Sequence, residues 1–146
     1  MMRDDPFVIL LVEDDQAHAE IVRRSLEGFR VANRLEHVCD GQAALEYLGG
    51  QGQWSRLPHP RPHLILLDLR LPKVDGLELL GNIKAEPRLA SIPVVVLSTS
   101  DADKDMLRAS ENHANSYLVK PLDLDEFVRM IGALGDYWLG WNKQPT

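Results

Sequence analysis

The stretch HLILLDLRLPKVDG, residues 63 to 76, decides how the rest of this chain is read. Its first five residues, His63-Leu64-Ile65-Leu66-Leu67, are mostly large aliphatics, as expected of a strand buried on both faces of a parallel sheet. The run ends on Asp68, a carboxylate out of place inside such a strand. The remainder carries Pro72 and the Asp75-Gly76 pair, which signal a turn. An ionisable group at the carboxyl end of a parallel strand stands where ligands gather in such sheets. On this stretch alone, a cap for the following loop explains Asp68 as well as a functional role does.

The chain has 146 residues, the length of one domain, enough to bury a core of its own. Its 16 basic and 22 acidic residues give a net charge of −6, which argues against a general nucleic-acid or anionic-membrane surface. The opening MMRDDP is not a secretory signal, and no apolar run is long enough to span a bilayer. Cys39 is the sole cysteine, so no internal disulfide forms and a reducing cytoplasm is the expected setting. His18, His37, His59, His63 and His113 are scattered. His59 and His63 have a ligand-like gap, but within a Pro-rich loop they read as a solvated pair.

Outward from the central stretch, the same grammar repeats. FVILLV (Phe7 to Val12) is an all-apolar run ended by Glu13-Asp14-Asp15. From Gln16 to Phe29, Ala19, Val22, Leu26 and Phe29 share one helical face, and Asp15 suits an N-cap. Leu35 to Val38 reads as a short strand, and Asp40-Gly41 opens a helix through Leu48. Residues 49 to 62 are dense in Gly and Pro and read as a surface loop. After Gly76 a helix runs until Pro87 stops it. Ile92 to Leu97 is a β-branched strand that meets Ser98-Thr99-Ser100, and Asp101 to His113 is weakly amphipathic. Ser116 to Val119 is a strand ending at Lys120-Pro121, and Leu124, Phe127, Val128, Ile131 and Leu134 form a helical stripe.

Five β-α units imply an α/β fold, a doubly wound five-stranded parallel sheet of flavodoxin-like type. Right-handed crossovers favour the strand order 2-1-3-4-5, with the first and third strands side by side. Glu13, Asp14, Asp68, Ser98 and Lys120 would then converge on one rim. Three acids packed together repel one another unless a cation joins them, and a hard divalent ion such as Mg²⁺ suits that donor set. A carboxylate beside such an ion can attack phosphorus. A lysine and a hydroxyl can then hold phosphoryl oxygens.

VILLVEDD, LILLDLRLPKVDG, PVVVLSTS and SYLVKP, in this order, resemble the receiver domain of two-component response regulators, a CheY-like fold, over about residues 7–135. The resemblance implies that Asp68 is the phosphoacceptor. It implies that Asp14, Asp68 and the Arg70 carbonyl bind Mg²⁺ directly, with Glu13 acting through water. Ser98 is then the switch hydroxyl, Lys120 the lysine of the site, and Tyr117 the aromatic that moves inward on activation. The Lys120-Pro121 bond is commonly cis in this family. Departures include Ser98 where threonine is commoner, Thr99 where a smaller residue often sits, and His113-Ala114-Asn115 in place of Gly-Ala-Asp. Arg70 and Ser100 match positions that tune phosphoryl lifetime. The loop before the third strand, ANSYLVKP and the YW tail are further similar to stand-alone regulators of bacterial phytochromes, which are light-sensing histidine kinases.

The expected organisation is a single receiver domain over residues 1–146, its core about 7–135, with 136–146 a C-terminal aromatic extension. With no effector domain expected, output would be a change in protein binding. Tyr137, Trp138 and Trp141 are the expected homodimer contact, unless the last helix packs them onto its own domain. A degenerate receiver that only docks is the alternative. A phosphotransferase would place a second acid where Arg70 stands, and a flavodoxin-like cofactor binder would not put three acids after its first strand. The expected product of this sequence is therefore a signalling switch, not an enzyme.

Overall fold

A computed structural model describes residues 6–29, 33–71, 74–99 and 103–141, except the side chains of residues 103–105, 107, 140 and 141. Strands and helices alternate as β1 (Phe7–Val12), α1 (Gln16–Glu27), β2 (Asn33–Val38), α2 (Gly41–Gly49), β3 (Leu64–Leu67), α3 (Gly76–Ala85), β4 (Val94–Ser98), α4 (Asp103–Glu111), β5 (Ser116–Val119) and α5 (Leu124–Gly135). A 3₁₀ turn (Gly52–Ser55) follows α2, and a π-helical turn (Asp136–Trp141) follows α5. All strand pairs are parallel and the order is β2-β1-β3-β4-β5, as expected.

Alternation along the strands separates two cores. Leu10, Val12, Ile65, Leu67, Val94 and Val96 face α2, α3 and α4, where Tyr47, Leu79, Ile83 and Ala109 meet them. Ile9, Leu11, Leu64, Leu66, Val95 and Leu97 face α1 and α5, meeting Val22, Leu26, Phe127 and Ile131. A strand covered on both sides has no polar face, which is why β1, β3 and β4 read as unbroken apolar runs. The edge strands differ: β2 is NRLEHV, only its Val38 fully buried, and β5 is four residues with exposed ends.

Aspartates start four of the helices. Asp15, Asp40, Asp75 and Asp123 accept from backbone N–H groups in the first turns of α1, α2, α3 and α5. β4 begins at Val94, two residues later than the apolar run suggests, because Pro93 has no N–H for the ladder. Gly76 departs from the expected turn role: it is the first residue of α3, and its φ is not positive. A side chain there would instead approach to 2.5 Å of Leu69 Cα and 2.8 Å of the Asp68 carbonyl oxygen. Among the described residues every peptide bond is trans, Lys120-Pro121 included, which is the intrinsically favoured isomer.

Candidate functional site

Register brings the candidate residues together. Val12 pairs with Leu67, so Glu13 and Asp68 leave β1 and β3 side by side. Ser98 pairs with Val119, which puts Lys120 one residue beyond the last rung of β5. Backbone bonds continue the ladder past the strand ends: Glu13 N–H donates to Val38 O, Asp68 N–H to Val12 O, and Lys120 N–H to Ser98 O at 2.7 Å.

Among the described residues the buried polar or charged side chains are Glu13, Asp68, Ser98 and Lys120, all at this rim. Charges avoid the interior unless paired, and these are paired. The Lys120 ammonium donates to Glu13 Oε1 in a short contact, to Asp68 Oδ2 at 3.1 Å and to His18 Nδ1 at 3.0 Å. Arg70 N–H donates to Asp68 Oδ1 at 2.9 Å, so the loop after β3 folds back onto its own carboxylate. Asp15 N–H donates to Glu13 Oε2 at 3.2 Å, and His37 Nε2 lies 2.7 Å from the Glu13 carbonyl.

Asp14 is exposed, yet one carboxylate oxygen from each of Glu13, Asp14 and Asp68 falls within 4.8 Å of the others. Burial pushes the Glu13 carboxyl up to about 7, with Asp68 adding to the rise and Lys120 opposing it. Hard oxygen donors held this close, at the cost of a raised carboxyl pKa, fit a divalent cation. The Arg70 side chain is exposed and Tyr117 is half-buried beside the α2, α3 and α4 core. Tyr137 is exposed, Trp138 packs against the α1 and α5 core, and the Trp141 side chain lies outside the described residues, as does Ser100. A groove of about 530 Å³ runs between β5 and the α5 tail, walled by Leu118, Met130, Leu134, Tyr137 and Trp138.

Two contributors were missed in the sequence. His18 falls on the helical face of Val22 and Leu26 at spacings of four and eight, a signal that its ring turns towards the sheet. His37 offers no such signal, since an alternating edge strand leaves either face open. The His59 and His63 gap carries nothing: His63 stacks on Phe7 and accepts from Val8 N–H, while His59 packs against Tyr47. His113 adopts φ of +66°, which explains the usual glycine there, and Asn115 Oδ1 accepts from Val94 N–H at 2.8 Å and from Lys84 Nζ at 3.3 Å.

The response regulator receiver domain family matches residues 9–132. The chain is 50% identical over 142 residues to the probable methanogenesis regulatory protein FilR2 of Methanothrix harundinacea, covering 97% of this chain and 90% of that protein. It superposes with a TM-score of 0.92 on the Mn(2+)-bound form of response regulator Rcp1, at 42% identity, covering 97% of this chain and 100% of the other. It superposes with a TM-score of 0.90 on the phosphorylated cyanobacterial phytochrome response regulator RcpA, at 36% identity and the same coverage.

Proposed function

This chain belongs to the response regulator receiver domain family, whose business is phosphorylation-based signalling, and from that membership we propose that Asp68 is its phosphoacceptor. The observation that carries the assignment is the buried Lys120 ammonium 3.1 Å from Asp68 Oδ2, at the end of a central strand. An Asp68 carboxylate oxygen attacks the phosphorus of a phosphohistidine. A P–O bond forms, the P–N bond breaks, and the imidazole leaves with the electron pair. Lys120 turns part of its donor capacity from carboxylate to phosphoryl oxygen, and the Ser98 hydroxyl serves a second one. Asp14, Asp68 and the Arg70 carbonyl would hold Mg²⁺ directly and Glu13 through water, and the ion would supply charge neutralisation between the nucleophile and the phosphoryl group.

Ser98 and Tyr117 form the switch: a hydroxyl drawn towards the phosphoryl group vacates space that the tyrosine ring enters. The phosphodonor is a sensor histidine kinase of bacterial phytochrome type, in keeping with the likeness to RcpA. The output is a homodimer whose contact includes Tyr137, Trp138 and Trp141, the first two of which line the groove beside β5. In this reading the protein is a cytoplasmic switch that acts on no substrate other than its phosphodonor.

Intact mass after acetyl phosphate, with and without Mg²⁺, tests the assignment on wild type and Asp68→Asn. A Mg²⁺-dependent phosphoryl adduct in wild type alone is expected. An adduct in both proteins would move the acceptor elsewhere, and none in either would favour a docking module.

A further inference from the structure

Lys120 has three N–H donors on its ammonium, and each has an acceptor. Two acceptors are the carboxylates of Glu13 and Asp68; the third is His18 Nδ1 at 3.0 Å. A ring nitrogen facing an ammonium can only accept, which places the ring proton on Nε2. The His18 side chain is 31% exposed while that of Lys120 is 2% exposed, so the ring covers the outer side of the ammonium.

The ring itself is held in place. The His18 backbone N–H donates to the Asp15 cap at 3.1 Å, and the ring packs in a T-shaped contact with Phe127 from α5 at a centroid distance of 5.3 Å and 77°. Its other charged neighbours are Asp15 Oδ2 at 3.6 Å and Glu13 Oε1 at 3.9 Å. An apolar side chain here would leave one buried ammonium proton unsatisfied. An acidic one would add a further charge to a cluster already crowded with carboxylates. A neutral acceptor satisfies the proton and adds no charge.

We propose that His18 is a positioning residue for phosphoryl transfer, its neutral ring fixing the direction of the Lys120 ammonium towards Asp68. The inference rests on the reading of Asp68 and Lys120 given above. Initial rates with acetyl phosphate and Mg²⁺ test it on wild type, His18→Leu and His18→Gln, the last supplying another neutral acceptor. His18→Leu is expected to lower the maximal rate about tenfold with the Mg²⁺ midpoint unchanged, and His18→Gln to recover it to within about threefold. Nitrogen-15 spectra of the metal-free proteins give an independent readout. The Lys120 ammonium is expected to be protected from exchange in wild type and His18→Gln and unprotected in His18→Leu. A His18→Leu protein with the wild-type rate, a His18→Gln protein as slow as His18→Leu, or equal protection in all three would overturn the proposal. A wild type that takes no phosphoryl group would instead sink the Asp68 assignment, and the spectra would still report whether His18 holds Lys120.

Discussion

Lys120 Nζ and Asp68 Oδ2 lie 3.1 Å apart although 52 residues separate them in the chain, and the lysine reaches across the end of β4 to make the contact. The same ammonium bonds Glu13, so one cation neutralises two buried acids from two neighbouring strands.

Replacing that cation by Lys120→Met should destabilise the metal-free protein by about 3 kcal/mol at pH 8, because two buried carboxylates lose their counter-charge. The loss should shrink at pH 5, where one acid can protonate. Urea unfolding in a chelator measures both. A variant as stable as wild type at pH 8 would mean that the pair contributes specificity rather than stability.

Glu13 predicts a pH dependence whose direction is set by its raised pKa, about 7 against an ordinary 4.5. Between those values the folded protein binds more protons at this site than the unfolded chain, so stability falls as pH rises through the window and levels off above it. The change attributable to Glu13 is up to about 3 kcal/mol in the absence of metal. Comparing wild type with Glu13→Gln at pH 5 and pH 8 isolates it, since the substitution should remove the slope. Asp15, whose carboxyl is lowered by the backbone N–H groups it caps, acts in the opposite sense and only below its ordinary 3.8.

Gly76→Ala should cost about 2–3 kcal/mol and slow phosphorylation of Asp68. The new methyl group would meet the Leu69 Cα at 2.5 Å and the Asp68 carbonyl oxygen at 2.8 Å, and backbone cannot step aside as a side chain does. Gly132→Ala is the control: nothing lies within 4 Å of a Cβ there, and helix propensity should make it neutral or stabilising. Thermal melts and acetyl phosphate rates on both variants check this.

Tyr137→Ser removes an exposed ring from the rim of the β5 groove without opening the core. It should weaken self-association at least severalfold in sedimentation and leave the phosphorylation rate unchanged. An unchanged association constant, or a monomer at every concentration, would overturn the proposed dimer contact.

The doubly wound sheet was legible because double burial leaves its mark on every residue of β1, β3 and β4. The acids, Ser98 and Lys120 were legible because each stands where such a strand stops. The pair Glu13-Asp14 shows what the sequence withholds: two adjacent carboxylates look alike, yet Glu13 is buried under Lys120 and Asp14 is exposed. Which of them turns inward depends on the path of the loop into α1, where Asp15 both caps the helix and donates to Glu13. Gly76 was read correctly as special but for the wrong cause, since close approach of two backbones leaves no trace in local sequence. His18 was hidden for a similar reason, its partner lying 102 residues away.

The two sheet edges carry a consequence for how this protein can be recruited. β2 presents Arg34, Glu36 and His37, the first two already joined as an ion pair, and β5 offers only four residues. Short or charged edges resist the addition of a foreign strand, whether from a peptide or from a second copy. Association must therefore use side-chain surfaces, which separate without unzipping a backbone ladder.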